Sequence, residues 1–546
     1  MKIDVERDLK IGELIDKIAD DYADVEAAIF PELRKTYEEF NEDIDKLAAG
    51  ILDLGIEKGD RVAVWAQNRY EWMVAWFALP KTGAILIPLD HWYKKNEAQY
   101  ILSHSGAAAV ICTSNYIEMI KEMRGDLPKL ENIIIMDKDV EKRNGYISMD
   151  SVMERAEPRN EAIQQRRSKI DPDDVTFILY TSGTTGKPKG AMLTHLNIVG
   201  NAIDVATVLN CTPDDKYLIT VPFSHCFGCI LAITTATITG SSMIPLKDQN
   251  PSIALSNIEK EKATILHGTP THFIRYIREY KENPDYEIES LRSGIIAGAP
   301  CPPPVLQDII DVLECEDIVI GYGLTEASPI ITLTTPDDSF EHRINSVGKP
   351  IPNIEVRIVE PKTTNPLPPN TDGELVVRGY NVMKGYYKAP EKTDKAIDEE
   401  GWLHTGDMAQ KDDEGYYKIT GRIKEMIIYG GVNVYPKAIE DYLLKNPKIV
   451  ECSVVGVPDE EYGEVVGVAA VVEEGFTEQD LVDYCYGEIS SPQVPRYVSF
   501  DVSIPLSGRG KVQKYKLSDK FEKLIDEGKL EKIVPTEVKK KKKAKT

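Results

Sequence analysis

Residues 180–190 read Tyr-Thr-Ser-Gly-Thr-Thr-Gly-Lys-Pro-Lys-Gly, a set of types suited to holding a polyphosphate. Thr181, Ser182, Gly183, Thr184, Thr185 and Gly186 leave the backbone nearly bare, so another group can approach its N–H donors closely. The hydroxyls of Thr181, Ser182, Thr184 and Thr185 add donors, and Lys187 and Lys189 add positive charge. A surface turn is the ordinary alternative for so short a Gly/Ser/Thr run, but this length with two lysines is uncommon. The widespread Gly-x-x-x-x-Gly-Lys-Ser/Thr phosphate loop, which runs into a helix, does not match. Thr181 stands five before Gly186, and Pro188 follows Lys187. The run 174–179 reads as a buried strand and 190–195 as a second short one, which gives a strand–loop–strand clamp.

Further along the chain, small-residue turns follow strand-like runs, the usual position for a ligand in an open α/β sheet. Gly298-Ala299-Pro300 follows 294–297, and 321–326, Gly-Tyr-Gly-Leu-Thr-Glu, follows 317–320. Later come 402–407, Trp-Leu-His-Thr-Gly-Asp; 421–425, Gly-Arg-Ile-Lys-Glu; and 504–511, Ile-Pro-Leu-Ser-Gly-Arg-Gly-Lys. The elements that carry them alternate. Tyr37, Phe40, Ile44, Leu47, Ile51 and Leu54 step by three and four, as one face of a helix does, and the pattern ends near Gly55. A strand at 61–66, a buried helix at 72–79 and strands at 84–88, 107–112 and 132–136 continue an α/β layered pattern. Thr194 to Asn197 can cap a helix. After Met426 the elements shorten: a helix opened by Pro436, strands at 450–457 and 464–472, and a capping-box start at Thr477 and Asp480 make a small α+β domain.

The 546 residues suit more than one domain, and 42% hydrophobic content is ample for large cores. A formal charge of −24 argues against nucleic acid as a partner, and any bound anion must be met by local cations. The eight cysteines are scattered, without disulfide-framework spacing, and Cys226 and Cys229 read as buried thiols. The N-terminus shows no apolar signal core and no run is long enough for a membrane span, so a cytoplasmic protein is expected. His225, among apolar neighbours in Pro222-Phe223-Ser224-His225-Cys226-Phe227-Gly228, reads as a wall residue and not a base. No acid lies between Lys216 and Lys247, so an α-amino acid, whose buried ammonium would need one, is disfavoured as a substrate. The run 539–543 is a basic tail of the solvated kind.

In this order and register the motifs resemble those of the adenylate-forming superfamily, and among its members the acyl-CoA synthetases, over about Phe30 to Leu517. The resemblance implies an AMP-forming acid–thiol ligase that uses ATP, Mg²⁺ and CoA, with a medium- or long-chain fatty acid as substrate. It implies a large N-terminal α/β domain of layered sheets (1–423), a small mobile C-terminal domain (424–531) and a tail (532–546). Ala299, Pro300 and Gly298 with Tyr322 and Gly323 would enclose the adenine. Thr325 would reach the α-phosphate and Glu326 would bind Mg²⁺. Asp407 and Arg422 would hold the ribose, Lys424 would be the hinge and Lys511 the catalytic lysine. Gly430 and Gly431 would line the CoA channel. His225, Phe227, Thr269, Phe273, Gly298 and Gly323 would line the acyl pocket. The last motif departs from the family's Pro-x-Thr-x-Ser-Gly-Lys: Ser507 and Arg509 replace its Thr and Ser. Partners would be small molecules, with a homodimer as a further option. The alternatives are an aryl-CoA ligase, a ligase loading a separate acyl-carrier protein, and a luciferase-type oxygenase; a P-loop phosphotransferase is disfavoured by the loop mismatch.

Overall fold

Short apolar runs build the centre of the fold. Arg61–Trp65, Ile85–Leu89, Ala109–Cys112 and Asn132–Ile135 pair in parallel and are buried almost throughout, as strands covered on both faces must be. A computed structural model describes residues 4–138, 146–155, 161–181, 187–505 and 512–538. The chain divides into two compact units, one of residues 1–356 and 376–404, the other of 357–375 and 405–546.

Among the described residues the first unit holds a nine-stranded and an eight-stranded sheet. The eight-stranded sheet runs from Gly385–Tyr386 through Lys189–Thr194 and Val175–Thr181 to the parallel strands above. The nine-stranded sheet places Ser293–Ile296 beside Asp317–Gly323 in parallel, and Asp317–Gly323 then pairs antiparallel with Ile330–Leu333. That antiparallel pairing carries the strand three residues past the expected end at 320, so Tyr322 and Gly323 belong to the strand and not to a turn.

Helices cover the sheets where the sequence caps them. Tyr37–Asp53 starts on a Thr36–Glu39 capping box, and His195–Val208 on one formed by Thr194 and Asn197. Tyr70–Thr82 is apolar nearly all round and lies in the core. Its one buried charge, Lys81, is fully covered and sits 2.6 Å from Asp16, 2.5 Å from Asp45 and 2.7 Å from Asn41 Oδ1.

The second unit has its own core, built on the antiparallel pair Ile449–Asp459 and Gly463–Val472, with the helices Pro436–Leu443, Glu478–Cys485 and Lys514–Asp526. The Thr477–Asp480 capping box forms as expected. No described helix is long and apolar enough to cross a membrane.

Candidate active site

The strand–loop–strand form of the 180–190 region is present. Val175–Thr181 and Lys189–Thr194 pair antiparallel, with Thr181 opposite Lys189. Gly190 is required there, because a Cβ would lie 2.5 Å from Ile178 Cγ2. Ser182, Gly183, Thr184, Thr185 and Gly186 lie outside the described residues. The two lysines at the loop's exit rest on aromatic faces. Lys187 Nζ is 5.2 Å from the centre of the Tyr100 ring, and Lys189 Nζ 4.6 Å from that of Tyr386.

Glu326 is the point on which this part of the first unit converges. It sits in the short helix Thr325–Ala327, directly after the strand that carries Tyr322 and Gly323. Tyr386 OH donates to its Oε1 at 2.9 Å, and Thr181 Oγ1 approaches the same oxygen at 3.4 Å. Its backbone oxygen accepts from Met383 N–H at 2.9 Å. Oε2 accepts no hydrogen bond from the described residues, so a hard carboxylate oxygen is left for a cation. Burial, and after it the Glu326 charge, pushes the Tyr386 phenol well above its ordinary pKa, so Tyr386 stays a donor. Nothing local in the sequence marks Tyr386; it arrives because Gly385–Tyr386 adds a strand beside Lys189–Thr194.

Beside Glu326, Thr325 is buried, and its Oγ1 lies 3.6 Å from Cys226 Sγ. Gly323 admits no side chain: a Cβ would stand 1.9 Å from Pro329 O. Gly298, with φ of +83°, turns the chain into the exposed Ala299 and Pro300 after Ser293–Ile296. Its nearest neighbour would be Thr269, at 3.7 Å from a Cβ, so these two acyl-pocket candidates adjoin.

Of the other acyl-pocket candidates, His225 caps the turn Cys226–Gly228, accepting from Phe227 N–H at 3.1 Å. Phe227 is buried and lies parallel to His267, ring centres 5.8 Å apart. Phe273 is fully buried in the helix Pro270–Glu282, in a cluster with Leu266, Tyr276 and Ile296. Cys226 and Cys229 are both buried, and neither is in a disulfide.

In the second unit, Asp407 is buried within the strand Leu403–Lys411 and pairs with Arg422, whose Nε lies 2.8 Å from Asp407 Oδ1. The two are direct cross-strand partners. Asp407 is therefore a strand residue and not one in a turn. Lys424 lies in the short helix Ile423–Glu425. Gly430 and Gly431, both at positive φ, form the tight turn between Ile427–Tyr429 and Val432–Val434. Lys511 lies outside the described residues.

A family model described as AMP-binding enzyme matches residues 15–387, and one described as AMP-binding enzyme C-terminal domain matches 438–511. The Bacillus subtilis (strain 168) protein YngI, provisionally described as an acyl-CoA synthetase, is 40% identical over 536 residues, 93% of this chain and 96% of that protein. The mitochondrial medium-chain acyl-CoA ligase ACSF2 of Danio rerio is 37% identical over 543 residues, 94% of this chain and 89% of that one. The crystal structure of ATP-bound MatB from Rhodopseudomonas palustris superposes with a TM-score of 0.81 at 27% identity, over 94% of this chain and 100% of that one.

Proposed function

The chain belongs to the AMP-binding enzyme family and is an AMP-forming acid–thiol ligase; from this premise we propose that its acid is a medium- or long-chain aliphatic carboxylate, activated on ATP with Mg²⁺ and passed to CoA. A carboxylate is a poor acyl donor, because its leaving group would be oxide. Joining it to AMP supplies a good leaving group, and the thiol of CoA then displaces AMP.

The contact between Thr325 and Cys226 carries the choice of acid. Thr325 Oγ1, the proposed α-phosphate donor, is 3.6 Å from Cys226 Sγ, where the buried run 226–239 begins. A carboxylate at the end of an apolar chain lying along that run would present its oxygen beside the hydroxyl. The run carries no acidic residue that could hold a substrate ammonium. The medium-chain acid in the name of the Danio rerio relative agrees with this reading.

The first step sets an anion against a polyanion. Two unit charges about 4 Å apart interact by roughly 4 kcal/mol at an effective dielectric near 20, so one well-placed cation changes the rate by powers of ten. Lys187, Lys189 and Lys511 supply such charge. Glu326 would hold Mg²⁺ through its uncommitted oxygen, and the bound ion would supply neutralisation of the phosphates. Asp407, steadied by Arg422, would accept the ribose hydroxyls. Lys424 would be the pivot on which the C-terminal domain exchanges Lys511 for the glycine turn at Gly430 and Gly431.

The test is a series of acids from butyrate to palmitate, together with benzoate, given to the protein with ATP, Mg²⁺ and either CoA or an acyl-carrier protein. Pyrophosphate release and thioester formation should peak at a medium or long aliphatic chain with CoA. Turnover confined to benzoate, or to the carrier protein, would overturn the reading.

A further inference from the structure

The buried run 226–239 is not one regular helix. Cys226–Gly228 and Thr235–Thr239 are α-helical, and Cys229–Thr234 between them is a π-helix. Thr235 N–H is shared between Ile230 O, five residues back, and Ala232 O. Such widened turns are rare and recur at functional sites.

Three successive carbonyls of this turn each receive a side-chain donor. Thr234 Oγ1 donates to Cys229 O at 2.9 Å and Thr235 Oγ1 to Ile230 O at 3.3 Å. The third carbonyl, Leu231 O, is met from outside the helix by His267 Nε2 at 3.2 Å. His267 is buried, and its Nδ1 accepts from Ile295 N–H at 3.1 Å. A nitrogen that accepts carries no proton, so the proton sits on Nε2 and points at Leu231. One face of the ring lies along Phe227, and Tyr217 stands edge-on to it with centres 5.6 Å apart. Burial lowers the imidazole's pKa to about 4, which keeps this neutral form at working pH.

We propose that His267 is a positioning residue for the acid site: its Nε2–H holds the widened turn open at Leu231 and so fixes Phe227 and Cys226 where the acyl chain and Thr325 meet. The inference rests on the assignment of the run 226–239 to the acid. If the turn closed to α-helical spacing, one residue would leave it, and the segment before it would rotate by roughly 100° against the segment after it. Phe227 would leave the wall and Cys226 would leave Thr325. The other nitrogen ties the same ring to Ser293–Ile296, the strand that ends at the Gly298 turn. His267 thus links the acid wall to the turn proposed to face the adenine, without touching either substrate.

The two nitrogens can be separated by substitution. In His267→Gln the amide nitrogen falls near the place of Nε2 and restores the donor to Leu231 O. In His267→Asn the amide oxygen falls near the place of Nδ1 and restores only the acceptor for Ile295. Acid-dependent kcat/KM, measured over the same acid series, should stay within about threefold of the parent in the Gln variant. It should fall by about tenfold or more in the Asn variant, with a changed preferred chain length and with the KM for ATP held. Equal behaviour of the two variants, or a KM for ATP that rises in step with that for the acid, would overturn the proposal. Nitrogen-15 NMR of the histidine-labelled parent gives a second reading that needs neither variant nor substrate. His267 should show a protonated Nε2 and a bare Nδ1 at neutral pH; the opposite tautomer, or an imidazolium, would also overturn it. If the parent makes thioester from no aliphatic acid, the assignment of the acid site fails, while the NMR result still decides which carbonyl His267 serves.

Discussion

Tyr386→Phe removes a single oxygen from the candidate site and should raise the Mg²⁺ requirement. The phenol lies 2.9 Å from Glu326 Oε1, while the other donor, Thr181 Oγ1, stands at 3.4 Å, too long for a strong bond. The ring remains in the variant, so Lys189 keeps its place 4.6 Å from the ring centre. A hydrogen bond to a charged group contributes about 1.5–3 kcal/mol. Glu326 is only partly buried and keeps the Thr181 contact, so the lower end applies, about 1.5 kcal/mol or roughly tenfold. Without the phenol the carboxylate is no longer held with Oε2 outward. Initial rates of pyrophosphate release, with Mg²⁺ titrated at fixed ATP and acid, should show the apparent Mg²⁺ constant raised about tenfold. The KM for the acid should stay as in the parent. An unchanged Mg²⁺ dependence, or an acid KM that rises as far as the Mg²⁺ constant, would refute the reasoning.

Lys511→Ala should slow acid-dependent pyrophosphate release by roughly two to three orders of magnitude, the scale of losing one preorganised electrostatic group. Given synthetic acyl-AMP and CoA, the same variant should make thioester near the parent rate; equal loss in both assays would contradict its role. Lys424→Pro, which fixes φ and removes a donor, should spare adenylation and depress thioester formation; equal loss of both would move the hinge elsewhere. Burial alone would raise the Asp16 carboxyl, but Lys81 and Arg167 beside it outweigh that and hold it below the ordinary aspartate value. Its contribution to stability is therefore complete above pH of about 4 and is lost as pH falls through the lowered folded value. Lys81→Met should cost about 3–5 kcal/mol at neutral pH, since it removes the ammonium from beside the buried Asp45 and from Asp16, which keeps Arg167. Thermal melts against pH measure both effects, and a variant that melts as hot as the parent would refute the second.

The strand–loop–strand form of 180–190 was legible because its pattern is local. Pro188 after Lys187 makes direct entry into a helix less natural, and the strands on either side pair as their β-branched and apolar residues suggest. The position of Thr325 and Glu326 just past a strand was legible for the same reason. Tyr386 was not, since it reaches Glu326 only through the pairing of Gly385–Tyr386 with a strand far earlier in the chain. The end of Asp317–Gly323 was misjudged because a glycine-rich stretch reads as a turn, whereas pairing with Ile330–Leu333 keeps it extended. Asp407 and Arg422 were named together, but their pairing across one ladder was not legible, since the two stand on separate strands. The widened turn at 229–234 was not legible, because the run Cys-Ile-Leu-Ala-Ile-Thr suits an ordinary buried helix equally well. Its partner, the ring of His267, comes from the segment just after the strand Ile265–Leu266.

The central claim is that the acid is activated as an adenylate, and the path of one oxygen tests it directly. The protein is given a medium-chain acid labelled with oxygen-18 in its carboxylate, together with ATP, Mg²⁺ and CoA. Attack of the carboxylate on the α-phosphate, followed by thiol displacement, leaves one carboxylate oxygen on the phosphate of AMP. Mass spectrometry of the nucleotide should therefore find one labelled oxygen in each AMP, in step with acyl-CoA formed. Thioester formation with unlabelled AMP, or with ADP and labelled inorganic phosphate, would contradict the account.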